Sequence, residues 1–217
     1  MGLTGFGEHD KITIMKDRLI VCYASLLQLD VLSDRYGGLI SAYRKAKLAK
    51  LQNEQERNRG LLAEFCLLEA IRRADDSVPF PLQIETEALG KPYLSDSPWH
   101  ISLSHSNDYA AAAVCSRPVG VDVEKKRPIT DRLARKICTD QEWETIWKRS
   151  PTEETFRDLF SAKESLVKCS GKGLMALAAA DTRNNPRIRQ YRFDDYVVSA
   201  ASEVDCTWEV FSCERDS

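Results

Sequence analysis

Two stretches with helical apolar spacing, each followed by short alternating strands, constrain the fold of this chain more than any other feature. From about Arg59 to Arg73, and again from Phe156 to Val167, large apolar residues recur every three or four positions, which predicts one buried face on each helix. Stretches such as Trp99–Ser106 and Gly120–Glu124 alternate apolar and polar residues, as half-buried strands do. We therefore predict an α+β chain.

Each half of the chain has strands, a helix and then further strands, so two similar halves could pack side by side. We place these halves at residues 1–117 and 118–217. An early apolar run, Leu19–Leu27, predicts a buried strand that Asp30–Gly38 interrupts. The last part of the chain predicts short antiparallel strands at Tyr191–Phe193, Tyr196–Ala200 and Cys206–Phe211.

Polar residues ahead of two helical stretches predict where those helices begin. Thr139 with Glu142, and Ser150 with Glu153, have the spacing of a capping box, in which each side chain bonds the backbone N–H of the other residue. Gly171 predicts the C-terminal end of the second helix, because glycine readily takes the left-handed conformation that closes a helix.

Composition excludes several classes of protein. With 43% hydrophobic and 29% charged residues, the chain is typical of a folded globular protein and not of a disordered or membrane protein. Its 31 basic and 33 acidic residues nearly cancel, so neither nucleic acid nor an anionic membrane is an expected partner. No segment approaches the ~20 apolar residues of a membrane span. Met1–Asp17 lacks the apolar run of a signal peptide, so we expect a cytoplasmic protein.

The seven cysteines are scattered, odd in number and never spaced C-x-x-C. This pattern fits reduced thiols better than a disulfide framework or a zinc site. We interpret them as ordinary packing residues, because free cysteine is among the most buried residue types.

Acidic residues on one strand and one helix are candidate metal ligands. Asp122 and Glu124 lie two positions apart, so their carboxylates project from one face of a strand and could hold a hard cation such as Mg²⁺. Glu164 would supply a third oxygen ligand. Lys168, one turn further along the helix, would reach a phosphate group bound to that ion. Taken alone, such acids are commonly solvent-facing, and such a Glu–Lys pair is commonly a surface ion pair.

Four motifs occur in a specific order along the chain: GKPYL at Gly90–Leu94, ISLSHS at Ile101–Ser106, GVDVE at Gly120–Glu124 and FSAKESLVKCSGKGL at Phe160–Leu174. Together they resemble the pattern of the 4′-phosphopantetheinyl transferases of the long, Sfp-like type, over about residues 40–175. Phe160 stands where that family often has tryptophan, and either ring can pack at such a position.

The resemblance implies a fold, a reaction and a metal site. The fold would be a monomer of two α/β halves in a pseudo-two-fold arrangement, with coenzyme A and Mg²⁺ or Mn²⁺ at their interface. The reaction would move 4′-phosphopantetheine from coenzyme A to a serine of an acyl or peptidyl carrier protein. Asp122, Glu124 and Glu164 would hold the metal ion against the diphosphate. Glu164, or a metal-bound water that it holds, would take the serine proton, and Lys168 would stabilise the leaving group.

The same resemblance assigns residues to coenzyme A. Ser104 and His105 would contact its phosphates, while Lys91 and Pro92 would lie near the nucleotide. The 3′-phosphate would be bound by basic residues of the helical stretch Tyr43–Leu51 and of the start of the next helix: Arg44, Lys47 and Arg59. A charge run on a helix is also typical of a solvated face.

Two other functions compete with the transferase. The first is a non-catalytic module of the same fold that binds coenzyme A or a carrier protein; a pure binder, however, has no need of three acids beside a phosphate. The second is a nucleic-acid binder that uses the basic stretch Tyr43–Arg59, which lacks interleaved aromatic residues and a high pI. The transferase is therefore the favoured prediction.

Overall fold

A computed structural model describes residues 17–185 and 187–213 of the chain. The strands are β1 Arg18–Ser25, β2 Ile84–Thr86, β3 Pro92–Leu94, β4 His100–Ser106, β5 Tyr109–Cys115, β6 Val119–Lys125, β7 Ile188–Phe193, β8 Tyr196–Ser202 and β9 Thr207–Ser212. The helices are α1 Leu29–Tyr36, α2 Ala42–Leu48, α3 Glu54–Ala74, α4 Asp131–Ile137, α5 Asp140–Thr145 and α6 Glu153–Ser170. The predicted α+β class is confirmed.

The two ends of the chain lie outside the described residues. The N-terminal end includes residues 1–16, which carry nearly all of the segment for which we expected no signal peptide, and the C-terminal end is residues 214–217. Within the described part of the chain, no helix combines the length and the apolar character needed to cross a bilayer.

The first sheet has the strand order β4–β5–β1–β9 and carries helix α3 on one face. β5 pairs antiparallel with both β4 and β1. Its alanines leave room for the large side chains of α3, of which Phe65 and Leu68 are fully buried. Burial of such a side chain contributes about 1.5–3 kcal/mol, so this layer is a main source of stability for the first half.

The second sheet has the order β6–β8–β7 and is antiparallel throughout. Val121 and Val123 of β6 pack with Val198 of β8 and with Leu19 and Val21 of β1, so a second core lies between the two sheets. Helix α6 covers the opposite face of this sheet. The layers therefore follow the order α3, first sheet, second sheet, α6.

Gly120 allows α6 to pack directly on β6. A Cβ atom at this position would clash with the backbone of Ser165 and of Cys169. Only glycine permits so close an approach of a helix to a strand. This contact sets the distance between the acids of β6 and those of α6.

The two halves share one strand order. Leaving aside the separate pair β2–β3, the first strand of each sheet after the long helix lies at an edge, the next strand lies beside it, and the strand that precedes the helix comes third, giving β4–β5–β1 and β7–β8–β6. Our prediction of an antiparallel last strand was wrong, because β9 lies parallel to β1, with Cys22 opposite Phe211. β9 joins the first sheet beside β1, so that β1 lies between β5 and β9.

The predicted helix boundaries are confirmed at two positions and wrong at a third. The capping box of Thr139 and Glu142 is confirmed, as is the left-handed conformation of Gly171 at φ 67°. The predicted cap at Ser150 was wrong: Thr152 accepts the N–H of Thr155 instead, and two glutamates then fall in the positive first turn of α6. The stretch predicted only to interrupt the first strand forms helix α1.

Candidate active site

The two halves meet where serines of β4 hydrogen-bond to β6. Ser102 Oγ accepts the N–H of Val121 at 3.0 Å. Ser104 Oγ donates to Oδ1 of Asp122 at 2.8 Å. Because side chains alternate along a strand, the polar face of β4 is turned towards the strand that carries the acids.

A cavity of about 560 Å³ opens beside this junction. It includes walls from α2, α3, β4, β6 and α6 and from the turn that leads into β3. Most residues that the sequence assigned to the site line it: Arg44, Lys47, Lys91, Pro92, Ser104, His105, Asp122, Glu164 and Lys168. Of the assigned residues, all of which the structure describes, Arg59 and Glu124 lie outside this lining.

Asp122, Glu124 and Glu164 form a partly buried cluster of negative charge. Burial, with the added repulsion of the Asp122 carboxylate, raises the pKa of Glu124 to about 7. Burial likewise raises the pKa of Glu164. Asp122 is 5% exposed, and its Oδ2 atom has no hydrogen-bond partner among the described residues. The neighbouring groups thus do not fully compensate the negative charge of the cluster. A bound divalent cation would compensate it.

The carboxylate oxygens of the three acids lie further apart than the ligand atoms of an assembled metal site. Between residues 17 and 213, leaving out residue 186, the group of three candidate ligands whose donor atoms all lie within 4.8 Å of one another is Cys22, Cys66 and Cys213. The acids have the oxygen donors that Mg²⁺ prefers. Their side chains must rotate towards one another to share one ion.

Lys168 compensates part of this charge. Its Nζ lies 2.8 Å from Oδ1 of Asp122 and 3.0 Å from Oγ of Ser104. Its side chain is 29% exposed and lies in the cavity wall, one helical turn from Glu164 and two from Phe160. All three side chains face the cavity, so the predicted position of Lys168 one turn beyond Glu164 is present in the structure.

Arg44 and Lys47 lie in the part of the cavity wall that helix α2 forms. Arg44 is buried, and its Nε lies 3.2 Å from Oε2 of the fully buried Glu64. The other carboxylate oxygen of Glu64 accepts the N–H of Ser41 at 3.1 Å. Lys47 Nζ donates to the hydroxyl of Tyr43 at 3.1 Å. A buried carboxylate therefore fixes the direction of the arginine, whereas the lysine stays exposed.

His105 and Arg59 lie further along the same wall. Partial burial lowers the pKa of His105, and the nearby guanidinium groups of Arg44 and Arg59 lower it further. The imidazole is therefore neutral at pH 7 and can donate one hydrogen bond to an anion. Arg59 itself binds the backbone carbonyl of Asn107 at 2.6 Å and the carboxylate of Glu56 at 2.5 Å.

Lys91 connects the GKP motif to the end of α6. Its Nζ donates to the backbone carbonyl of Cys169 at 2.9 Å, where the helix leaves carbonyl groups unpaired. Burial lowers the pKa of Lys91. The lysine therefore joins the two halves at the cavity, beside Pro92 and Gly171.

A buried ion pair next to Glu164 was not predicted from the sequence. Lys163 and Glu142 are both fully buried, and Nζ lies 2.6 Å from Oε2. Glu142 also accepts the backbone N–H of Thr139 at 2.8 Å and that of Thr182 at 2.9 Å. The available signal was the lysine inside the motif FSAKESLVK, which stands directly before the acid. Nothing in its spacing identifies Glu142 as its partner.

Comparison with known proteins agrees with the motifs. Residues 118–208 match the family model of the 4′-phosphopantetheinyl transferase superfamily. A 4′-phosphopantetheinyl transferase of Bacillus subtilis is 31% identical over 144 residues, which cover 65% of this chain and 64% of that protein. The 4′-phosphopantetheinyl transferase Sfp of Bacillus subtilis strain 168 is 30% identical over 145 residues, 65% of each chain. This chain thus spans slightly under two thirds of the length of these relatives. The resemblance that the motifs indicated is confirmed.

Proposed function

We propose that this chain, which is similar to the 4′-phosphopantetheinyl transferases over about two thirds of its length, transfers 4′-phosphopantetheine from coenzyme A to a serine of an acyl or peptidyl carrier protein. The released product is adenosine 3′,5′-bisphosphate. One observation carries the proposal: a single cavity is lined by acids and a lysine from one half and by basic residues and a histidine from the other. Such a cavity suits a substrate that carries several phosphates.

Coenzyme A would lie at the junction of the two halves, residues 1–117 and 118–217, in a pseudo-two-fold arrangement. The strand order that the halves share supports this arrangement. The cavity volume of about 560 Å³ falls in the ordinary range for ligand sites. Because one chain supplies both walls, a monomer would have a complete site.

Asp122, Glu124 and Glu164 would hold a Mg²⁺ or Mn²⁺ ion. Two observations support this assignment. The buried Oδ2 atom of Asp122 has no hydrogen-bond partner among the described residues, and burial together with the Asp122 carboxylate raises the pKa of Glu124 to about 7. When bound, such an ion orients the diphosphate of coenzyme A and neutralises charge during phosphoryl transfer.

Glu164 would act on the attacking serine, and Lys168 would act on the leaving group. The serine oxygen of the carrier protein attacks the β-phosphorus, and the bond from that phosphorus to the bridging oxygen breaks. Glu164 accepts the serine proton, for which its raised pKa is favourable near neutral pH. The bridging oxygen leaves with the electron pair as part of adenosine 3′,5′-bisphosphate, and the ammonium group of Lys168 stabilises its charge.

The remaining wall would hold the nucleotide. Neutral His105 and Ser104 would donate hydrogen bonds to the phosphates. Arg44, whose direction Glu64 fixes, and Lys47 would bind the 3′-phosphate. Arg59 would contribute charge from outside the lining.

The decisive experiment incubates the chain with coenzyme A, Mg²⁺ and a panel of unmodified acyl and peptidyl carrier proteins. Mass spectrometry should show that one carrier gains the phosphopantetheine mass. The Glu164→Gln variant should bind coenzyme A and modify the carrier at least about a hundredfold more slowly. A half-buried glutamate in the first turn of the same helix, outside the cavity lining, supplies the matched control, Glu153→Gln, which should behave as the wild type.

The same experiment separates the transferase from a binding module. If calorimetry shows that coenzyme A binds while no carrier in the panel gains mass, the chain is a binding module of this fold. If coenzyme A does not bind at all, the assignment of the cavity is wrong.

A further inference from the structure

Three cysteines converge in the core of the first half. Cys22 lies in β1, Cys66 in α3, and Cys213 directly after β9. The Sγ atoms of Cys22 and Cys213 are 3.0 Å apart, and all three sulfurs lie within 4.8 Å of one another. None of the three lines the cavity that we assign to coenzyme A.

We infer that Cys22, Cys66 and Cys213 form a binding site for a soft univalent metal ion, of which Cu(I) is the clearest example. For any three atoms separated by no more than 4.8 Å, a point exists within about 2.8 Å of all of them. Metal–thiolate bonds are about 2.3 Å long. The sulfurs therefore need to move by about half an ångström or less to bind one ion together.

The structure holds the three side chains in place before any ion arrives. Cys22 and Cys66 are fully buried and stand on a central strand and in the middle of a long helix. The N–H of Cys213 donates to the carbonyl of Tyr23 at 3.0 Å, which fixes the last ligand beside β1. Ligands on such elements lose little freedom on binding. Cys213, 8% exposed, is the least buried of the three.

The donor set selects the ion. Thiolates favour soft ions such as Cu(I), whereas Mg²⁺ and Ca²⁺ require oxygen ligands. Structural Zn²⁺ takes four protein ligands, and within the described part of the chain no histidine or carboxylate joins this group of three. Two or three sulfurs satisfy Cu(I). Binding replaces thiol protons, which pass to the solvent, and no electron is transferred.

The test is an anaerobic titration of the reduced full-length chain with Cu(I) in competition with the coloured chelator bicinchoninate. The wild type should retain one copper ion per chain, and X-ray absorption at the copper edge should show sulfur as the only nearest neighbour. The Cys66→Ala and Cys213→Ala variants should each weaken retention at least tenfold. Cys138→Ala removes a buried thiol from a separate core cluster and should retain copper as the wild type does.

Three results would overturn the inference. The first is that the wild type releases all its copper to the chelator while its circular dichroism shows a folded chain. The second is that both variants, folded by the same criterion, hold copper as tightly as the wild type. The third is that Zn²⁺ is retained in preference to Cu(I). None of these results depends on carrier-protein modification, so the proposed function stands or fails separately.

Discussion

Lys163 and Glu164 are neighbours on helix α6, yet the two charged clusters to which they belong are built in opposite ways. Lys163 belongs to a fully hydrogen-bonded network. The Glu142 carboxylate accepts hydrogen bonds from the Lys163 ammonium group and from two backbone N–H groups, so this carboxylate needs no water as a partner. Glu164 belongs to a cluster in which acids repel one another and one buried oxygen of Asp122 has no partner within the described chain.

The Lys163 cluster is built to stabilise the fold, whereas the Glu164 cluster is built to bind a ligand. A buried ion pair whose hydrogen bonds are all made holds its elements in one arrangement, and removing one partner is costly. A cluster with uncompensated charge destabilises the free protein and becomes favourable only when a cation or another group binds to it. The following predictions test this division.

The largest effect should come from Glu164→Gln. The amide has the shape of the carboxylate but cannot accept a proton, so the rate of transfer should fall about 10²–10⁴-fold. The free energy of unfolding should stay unchanged or increase, because a buried like charge is removed. Turnover of a carrier protein and urea denaturation measure the two quantities. Turnover within threefold of the wild type would remove Glu164 from the mechanism.

Lys163→Met should have the reverse effect. The variant leaves the Glu142 carboxylate buried without its cation, which should lower the free energy of unfolding by about 3–5 kcal/mol. Turnover per folded molecule should change little. The double variant Lys163→Met with Glu142→Gln should recover part of the loss, since no charge is then left unpaired. If the single variant is as stable in urea as the wild type, the network contributes nothing.

Glu124 should make stability depend on pH. Its pKa is raised to about 7 in the folded state, so between about pH 4.5 and 7 the folded chain binds the proton more tightly than the unfolded chain. Its contribution to stability is therefore present below pH 4.5 and lost as pH rises through 7, by about 2–3 kcal/mol.

Urea denaturation of the wild type and of Glu124→Gln, both with a chelator of divalent cations, measures this contribution as a difference. The variant should be the more stable protein at pH 8 and should lose that advantage at pH 4.5. If the free energies of unfolding of the two proteins change in parallel with pH, the pKa of Glu124 is not raised in the folded state.

The smallest effect should come from Lys47→Ala. Loss of one exposed cation should weaken coenzyme A about tenfold and leave its 3′-dephospho form nearly unaffected. Calorimetry with both ligands measures the contrast. Lys45→Ala, an exposed lysine of the same helix outside the cavity lining, is the control. Equal weakening of both ligands would place Lys47 away from the 3′-phosphate.

Much of the framework follows from local pattern. Helical spacing predicted α3 and α6, and alternation predicted β4 and β6, because both patterns report which side chains face a core. The last strand was placed wrongly in its pairing, since the choice of a parallel partner depends on which sheet edge is free.

The candidate site divides along the same line. Motifs named Asp122, Glu164, Lys168 and His105, and the structure brings all four to one cavity. The buried partner of another assigned residue was missed: Glu64, which fixes the direction of Arg44.

The helices, most of the strands, the resemblance to a known family and the oxygen and nitrogen donors of the site could be read from the amino-acid sequence, because these depend on neighbours within a few positions and on motifs of specific spacing. Tertiary structure decided which buried charges are paired, which carboxylate oxygen is left without a partner, and that three scattered cysteines meet. These outcomes depend on residues far apart along the chain, whose contacts arise only when the layers pack.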